Sequence, residues 1–121
     1  MKILVCDDDT MTIRALEYQF VREGFEVLKA NSGREAQKLL EENEDINVLI
    51  TDVYMPLMNG LELITYVRNN LHRTIPIVVI SRVNVKENIN EALALEADIY
   101  MPKPFNLDEL SQKVNQLLKE R

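Results

Sequence analysis

Cysteine and histidine each occur once in the 121 residues, as Cys6 and His72. A lone cysteine closes no internal disulfide, and one residue of each kind cannot assemble a Cys/His zinc site within the chain. His72 sits in the polar stretch NNLHRT, which reads as a solvated loop and suits a histidine-based triad poorly. Glycine is nearly as scarce, at three residues, and no GxxxxGK[ST] stretch occurs, so a phosphate-cradling nucleotide loop is excluded. No apolar run approaches the ~20 residues that a membrane span requires. The opening MKILVCDDD turns acidic after one short apolar segment, unlike a secretory signal. Basic residues are outnumbered, 14 Lys and Arg against 20 Asp and Glu, and the formal net charge of −6 repels a polyphosphate backbone. The expected setting is the reducing, aqueous cytoplasm, with no membrane and no direct nucleic-acid partner.

What is present is an ordinary globular composition. Hydrophobic residues make up 46% and charged residues 28%, too apolar for intrinsic disorder. A chain of this length buries about two thirds of its unfolded surface around one core and leaves no room for a second. The expectation is a single domain over residues 1–121.

Short apolar runs alternate with helical stretches, the pattern of a parallel sheet covered by helices. The runs are Ile3 to Cys6, Val48 to Ile50 and Ile77 to Ile80, with weaker ones at Glu26 to Ala30 and Asp98 to Met101. Between them, Met11 to Glu23 places Ile13, Leu16 and Phe20 on one face, and Gly24 follows as a terminator. A second helix opens at Ser32 with Glu35 three residues on, a capping-box pattern, and turns Ala36, Leu39 and Leu40 inward. Leu61, Ile64, Val67 and Leu71 follow Gly60 at helical spacing. A fourth helix spans Val85 to Leu95, weakened by Asn84, Asn88 and Asn90. The last begins at Asn106, with Leu107, Leu110, Val114, Leu117 and Leu118 as its stripe. The first, third and fourth strands are apolar on both faces, whereas EVLKA and DIYM mix polar with apolar as edges do. With right-handed crossovers this predicts an α/β fold: a flavodoxin-like, doubly wound five-stranded parallel sheet of order 2-1-3-4-5 with five helices.

In such sheets the functional crevice lies beyond the carboxyl ends of the strands. Asp7, Asp8 and Asp9 end the first strand, Asp52 the third and Ser81 the fourth, and the fifth runs out at Lys103. Two carboxylates ~5 Å apart repel by about 3 kcal/mol at an effective dielectric near 20, so the cluster calls for a cation. All-oxygen ligands select a hard ion, Mg²⁺ or Mn²⁺, with positions left for water and a phosphate oxygen. Lys103 then supplies a point charge and Ser81 a donor to further phosphate oxygens. The set suits a transferring phosphoryl group. Asp9, followed by Thr10, reads instead as the cap of the first helix.

Taken in order, KILVCDDD, TDVYMPLMNG, PIVVIS and DIYMPKPF resemble the receiver domain of two-component response regulators, over essentially the whole chain. The resemblance implies a signalling switch rather than an enzyme. It implies that Asp52 accepts a phosphoryl group from the phosphohistidine of a sensor histidine kinase or phosphotransfer protein. By the same resemblance Asp8, Asp52 and the backbone carbonyl of Tyr54 ligate Mg²⁺, Asp7 holds it through water, and Lys103 pairs with the phosphoryl group. Ser81 matches the switch hydroxyl and Tyr100 the aromatic that changes rotamer with it. The surface of fourth helix, fifth strand and fifth helix then meets a downstream target or output domain, or a second copy of the chain. A cis Lys103–Pro104 bond is also implied.

The chain departs from the family pattern at several places. Arg82 stands where a small residue usually follows the switch hydroxyl, and is expected to cover the site in part or add a second cation. Glu96 replaces a common glycine, and Asn59 a common aspartate before Gly60. Bulky Tyr54 and apolar Val83 flank the site without positioning a water, which suggests a long-lived phosphoryl state. Two other readings compete. A phosphorylation-independent interaction module on the same fold is one. The other is a haloacid-dehalogenase-type phosphohydrolase, whose Asp-x-Asp-x-Thr pattern fails at Met11.

Overall fold

Leu4 and Cys6 point to one side of the first strand, and Ile3 and Val5 to the other; that alternation divides the molecule into layers. The computed structural model describes residues 1–55, 57–82 and 86–120, except for the side chains of residues 86–88. Its strands are β1 (Lys2–Cys6), β2 (Glu26–Ala30), β3 (Ile46–Asp52), β4 (Ile77–Ser81) and β5 (Ile99–Pro102). Its helices are α1 (Thr10–Arg22), α2 (Gly33–Glu42), α3 (Gly60–Thr65), α4 (Lys86–Ala94) and α5 (Leu107–Glu120). The strands pair in parallel in the order β2-β1-β3-β4-β5, as the edge composition predicts.

Leu4, Cys6, Leu49 and Val79 form a core with Ala36 and Leu40 of α2, Leu63 and Ile64 of α3 and Ala92 of α4. On the opposite face Ile3, Val5, Ile50 and Ile80 pack against Leu16 and Phe20 of α1 and Leu110 and Val114 of α5. Every residue of β4 is buried, whereas in β2 only Ala30 is buried and Glu26 and Lys29 are exposed, as an edge should be.

Local chemistry sets the helix ends. The Asp9 carboxylate accepts from the Met11 N–H at 3.0 Å and opens α1. The Ser32 hydroxyl accepts from the Glu35 N–H at 3.1 Å and opens α2. Asn59 and Glu62 form a reciprocal capping box on α3, so the departure at Asn59 serves as an N-cap.

The periodicity through Leu71 predicts one regular third helix, but the structure differs. After Thr65 the chain widens into a π-helical turn, Tyr66–Asn70, in which the Leu71 N–H bonds the Tyr66 carbonyl at 3.0 Å. Val67 stays buried, so the apolar face survives while the turn gains a residue. Arg68, inside that turn, donates to the carbonyls of Arg73, Ile75 and Glu96 and pairs with Asp98 at 3.2 Å. The Val85 and Asn84 expected at the start of the fourth helix lie outside the described residues. His72 is exposed in the loop before β4, at the end of the sheet opposite the strand carboxyl ends.

Glu96 adopts φ +73°, the left-handed conformation that favours the glycine it replaces. Its side chain is exposed, and its carbonyl holds Arg68 at 2.9 and 3.1 Å. A Glu96→Gly substitution keeps those backbone bonds and removes the Cβ clash. Because the left-handed state costs an L-residue about 1–2 kcal/mol, partly offset by the extra unfolded-chain entropy of glycine, stability should rise by up to ~1 kcal/mol. A urea-unfolding midpoint that falls would contradict this.

Candidate functional site

Because all five strands run the same way, their carboxyl ends present their last residues to one rim. β1 delivers Asp7, whose N–H bonds the Ala30 carbonyl at 3.1 Å, followed by Asp8 and Asp9. Asp52 is the last residue of β3 and Ser81 the last of β4. Lys103 follows β5 and is tied to β4 by its N–H on the Ser81 carbonyl at 2.7 Å. The Lys103–Pro104 bond is cis.

Single carboxylate oxygens of Asp7, Asp8 and Asp52 lie within 4.8 Å of one another. Asp7 is fully buried and Asp52 is 5% exposed, whereas Asp8 faces solvent. Lys103 crosses between the two buried carboxylates, its Nζ 2.6 Å from Asp7 Oδ2 and 3.2 Å from Asp52 Oδ2. The other oxygens are held too: Asp7 Oδ1 accepts from the Asp9 N–H at 2.9 Å and Asp52 Oδ1 from the Val53 N–H at 2.7 Å. Among the described residues every buried side-chain nitrogen or oxygen has a partner.

This arrangement depends on a close backbone approach. Gly60 donates to the Val53 carbonyl at 2.8 Å, and a Cβ on it would lie 2.0 Å from the Asp52 carbonyl oxygen. Only glycine lets the start of α3 fold back beneath Asp52. The sequence reading used Gly60 solely as a helix start and missed this; its place eight residues after an expected strand-end aspartate was the available signal.

Ser81 is buried and Tyr100 half-buried. Tyr100 pairs with Val79, two residues before Ser81, so serine and tyrosine share the sheet face that α4 covers. Tyr54 is 52% exposed at the rim. With Asp8, Asp52 and Arg82 it lines a cavity of about 240 Å³. The Val83 flanking position lies outside the described residues. Cys6 is buried next to Asp7, its Sγ 3.3 Å from the Ser32 carbonyl, and burial pushes its thiol up to about 12, far from a nucleophile's range.

The charges oppose one another. Burial pushes Asp7 above the ordinary aspartate value, and the bonds from Lys103 and the Asp9 N–H offset this only in part. Burial also works against the Lys103 ammonium, but Asp7 and Asp52 outweigh it and hold its pKa above the usual lysine value. A carboxyl whose folded pKa is raised binds its proton more tightly when folded, so its protonation adds stability as pH falls. In metal-free buffer the wild type should therefore gain stability over Asp7→Asn as pH drops from neutrality toward about 4. Urea unfolding across that range checks this, and a pH-independent difference would contradict it.

Residues 3–115 match the family model described as the response regulator receiver domain. The chain is 39% identical over 120 residues to a chemotaxis protein CheY homolog of Campylobacter jejuni, spanning 98% of this chain and 92% of that one. It is 40% identical to chemotaxis protein CheY1 of Helicobacter pylori, over 98% of this chain and 97% of that protein. The solved receiver domain of a Francisella response regulator superposes with a TM-score of 0.90 at 32% identity, covering 98% of this chain and 97% of the other. The family match, the sequence kinship and the superposition agree, and the chain belongs to the receiver domains of two-component response regulators.

Proposed function

We propose that residues 1–121 form one receiver domain that takes a phosphoryl group onto Asp52 from the phosphohistidine of a sensor histidine kinase or phosphotransfer protein in the cytoplasm. The observation that carries this reading is the convergence of Asp7, Asp8 and Asp52 within 4.8 Å, with the Lys103 ammonium between two of them. An Asp52 oxygen bonds to phosphorus as the phosphorus–nitrogen bond of the donor breaks, and the electron pair leaves with the imidazole. Phosphoryl transfer asks for an in-line nucleophile and charge neutralisation more than for an acid or base, which fits a rim holding carboxylates and one lysine. Asp52 suits the nucleophile: its backbone is locked in β3, and the Val53 N–H fixes one oxygen.

The donor set is all oxygen, with Cys6 turned into the core, and so fits a hard cation, Mg²⁺ or Mn²⁺ in its place. Asp8, Asp52 and the Tyr54 carbonyl would hold it directly and Asp7 through water. When bound, the ion offsets the charge of the carboxylates and of the incoming phosphoryl oxygens. Lys103 would then turn from Asp52 toward the phosphoryl group, keeping Asp7 as its anchor.

Signalling follows from contacts made in only one state. The Ser81 hydroxyl moves toward the phosphoryl group, and Tyr100, on the same sheet face, repacks against α4. That alters the surface of α4, β5 and α5, where a target protein, an output domain or a second copy of the chain docks.

Incubation with acetyl phosphate in magnesium buffer should add the mass of one phosphoryl group to the intact protein. Asp52→Asn and chelation of the metal should each abolish the gain. An adduct that persists in Asp52→Asn would overturn the assignment. With the adduct in place, Ser81→Ala should remove the phosphorylation-induced NMR shift of Tyr100; a full shift in that variant would contradict the hydroxyl-driven switch.

A further inference from the structure

Arg82 follows Ser81 at the carboxyl end of β4, and its side chain, 76% exposed, reaches across the rim. Its Nη2 lies 3.8 Å from Oδ2 of Asp9, the residue that caps α1. It therefore belongs to two neighbourhoods at once. On one side it lines, with Asp8, Asp52 and Tyr54, the cavity of about 240 Å³. On the other it borders the groove between Met11 of α1 and Phe105. The ion pair is long and exposed, so it holds the guanidinium weakly and exchanges readily. Asp9 does not need it: its two oxygens already accept from the Met11 N–H and the Thr12 hydroxyl.

We propose that Arg82 is a specificity-determining residue that exchanges Asp9 for the phosphoryl group on Asp52; this rests on the function proposed above. Before transfer, the guanidinium held toward Asp9 stands beside Asp8 and Asp52 at the cavity and hinders small anionic donors, which carry no protein surface to displace it. After transfer, a phosphoryl group with three terminal oxygens and a fuller negative charge outcompetes one already satisfied carboxylate for a planar, forked donor. Lys103 approaches from the β5 side and Arg82 from the β4 side, so the group is gripped by two cations. Arg82 then obstructs hydrolysis, in which a water oxygen bonds to phosphorus and the bond to Asp52 breaks with its electron pair left on the carboxylate. The water protons pass to the released phosphate and to solvent.

Two variants separate the two roles. Arg82→Ala removes both the barrier and the grip, while Asp9→Asn keeps the helix cap and frees the arginine. Uptake from acetyl phosphate and decay after donor removal are both read by intact mass in magnesium buffer. Arg82→Ala should take up the phosphoryl group about fivefold faster and lose it about fivefold faster, the ratio that roughly 1 kcal/mol gives at room temperature. Asp9→Asn should show the faster uptake with the wild-type lifetime. Arg82→Lys should restore the lifetime only in part, since an ammonium lacks the fork. Urea midpoints equal to wild type exclude a folding defect in each variant. Wild-type rates in Arg82→Ala, unchanged uptake in Asp9→Asn, or a lifetime shortened equally in both would overturn the proposal while leaving phosphorylation of Asp52 intact. A wild-type protein that gains no phosphoryl mass would overturn the underlying function, and this role with it.

Discussion

The site is organised by repulsion. Asp7 and Asp52 are buried anions brought to one rim by adjacent parallel strands, with Asp8 beside them. A pair of charges at that spacing is costly wherever water is excluded. Lys103 relieves the strain between the two buried carboxylates by bonding both. The cluster thus exists with its cation demand half met, which is the physical basis for proposing a hard metal ion there, and that ion would in turn make room for the charge of a phosphoryl group. Under the proposed function, either newcomer would change the partners of Lys103, which links charge at the rim to the chain following β5. From there the change can reach the β4–β5 face that carries Ser81 and Tyr100.

The framework around this cluster is correspondingly rigid. β1, β3 and β4 are packed on both faces, so Asp7, Asp52 and Ser81 extend from strands that cannot shift without disturbing a core. Gly60 holds the loop after Asp52 tightly against the strand, and Gly33 does the same for Met58, whose carbonyl would lie 2.0 Å from an added Cβ. Adaptable groups sit at the surface instead: Asp8, Tyr54 and Arg82 are exposed. The division suits a site whose floor must be exact while its mouth admits a partner.

Much of this was legible in the residues. Apolar runs on both faces identify central strands, and strand order then dictates which residues share a rim; Asp7, Asp8, Asp52 and Lys103 meet there because of topology, not proximity in sequence. Asp9 was readable as a cap because an aspartate between a strand and an amphipathic stretch has an obvious local task. Less was legible where two conformations satisfy the same pattern. The spacing of Leu61, Ile64, Val67 and Leu71 is the same to the eye whether the last turn is α or π, and the bonds of Arg68 that accompany the wider turn span more than twenty residues. Lys103 was expected on a phosphate oxygen; in the structure its ammonium lies between two buried anions and bonds both, a placement that topology sets and no local pattern encodes. The reach of Arg82 to Asp9 depends on the rotamer of a long side chain, which no periodicity encodes.

Binding of Mg²⁺ followed by titration calorimetry tests the central claim most directly. The wild-type protein should bind one ion with measurable heat, and Asp8→Asn, substituted at an exposed position, should stay folded and lose that binding. An absence of heat and of any chemical-shift change at Asp8 and Asp52 in the wild type would contradict the account, because the carboxylate cluster would then have no need of the cation on which its chemistry depends.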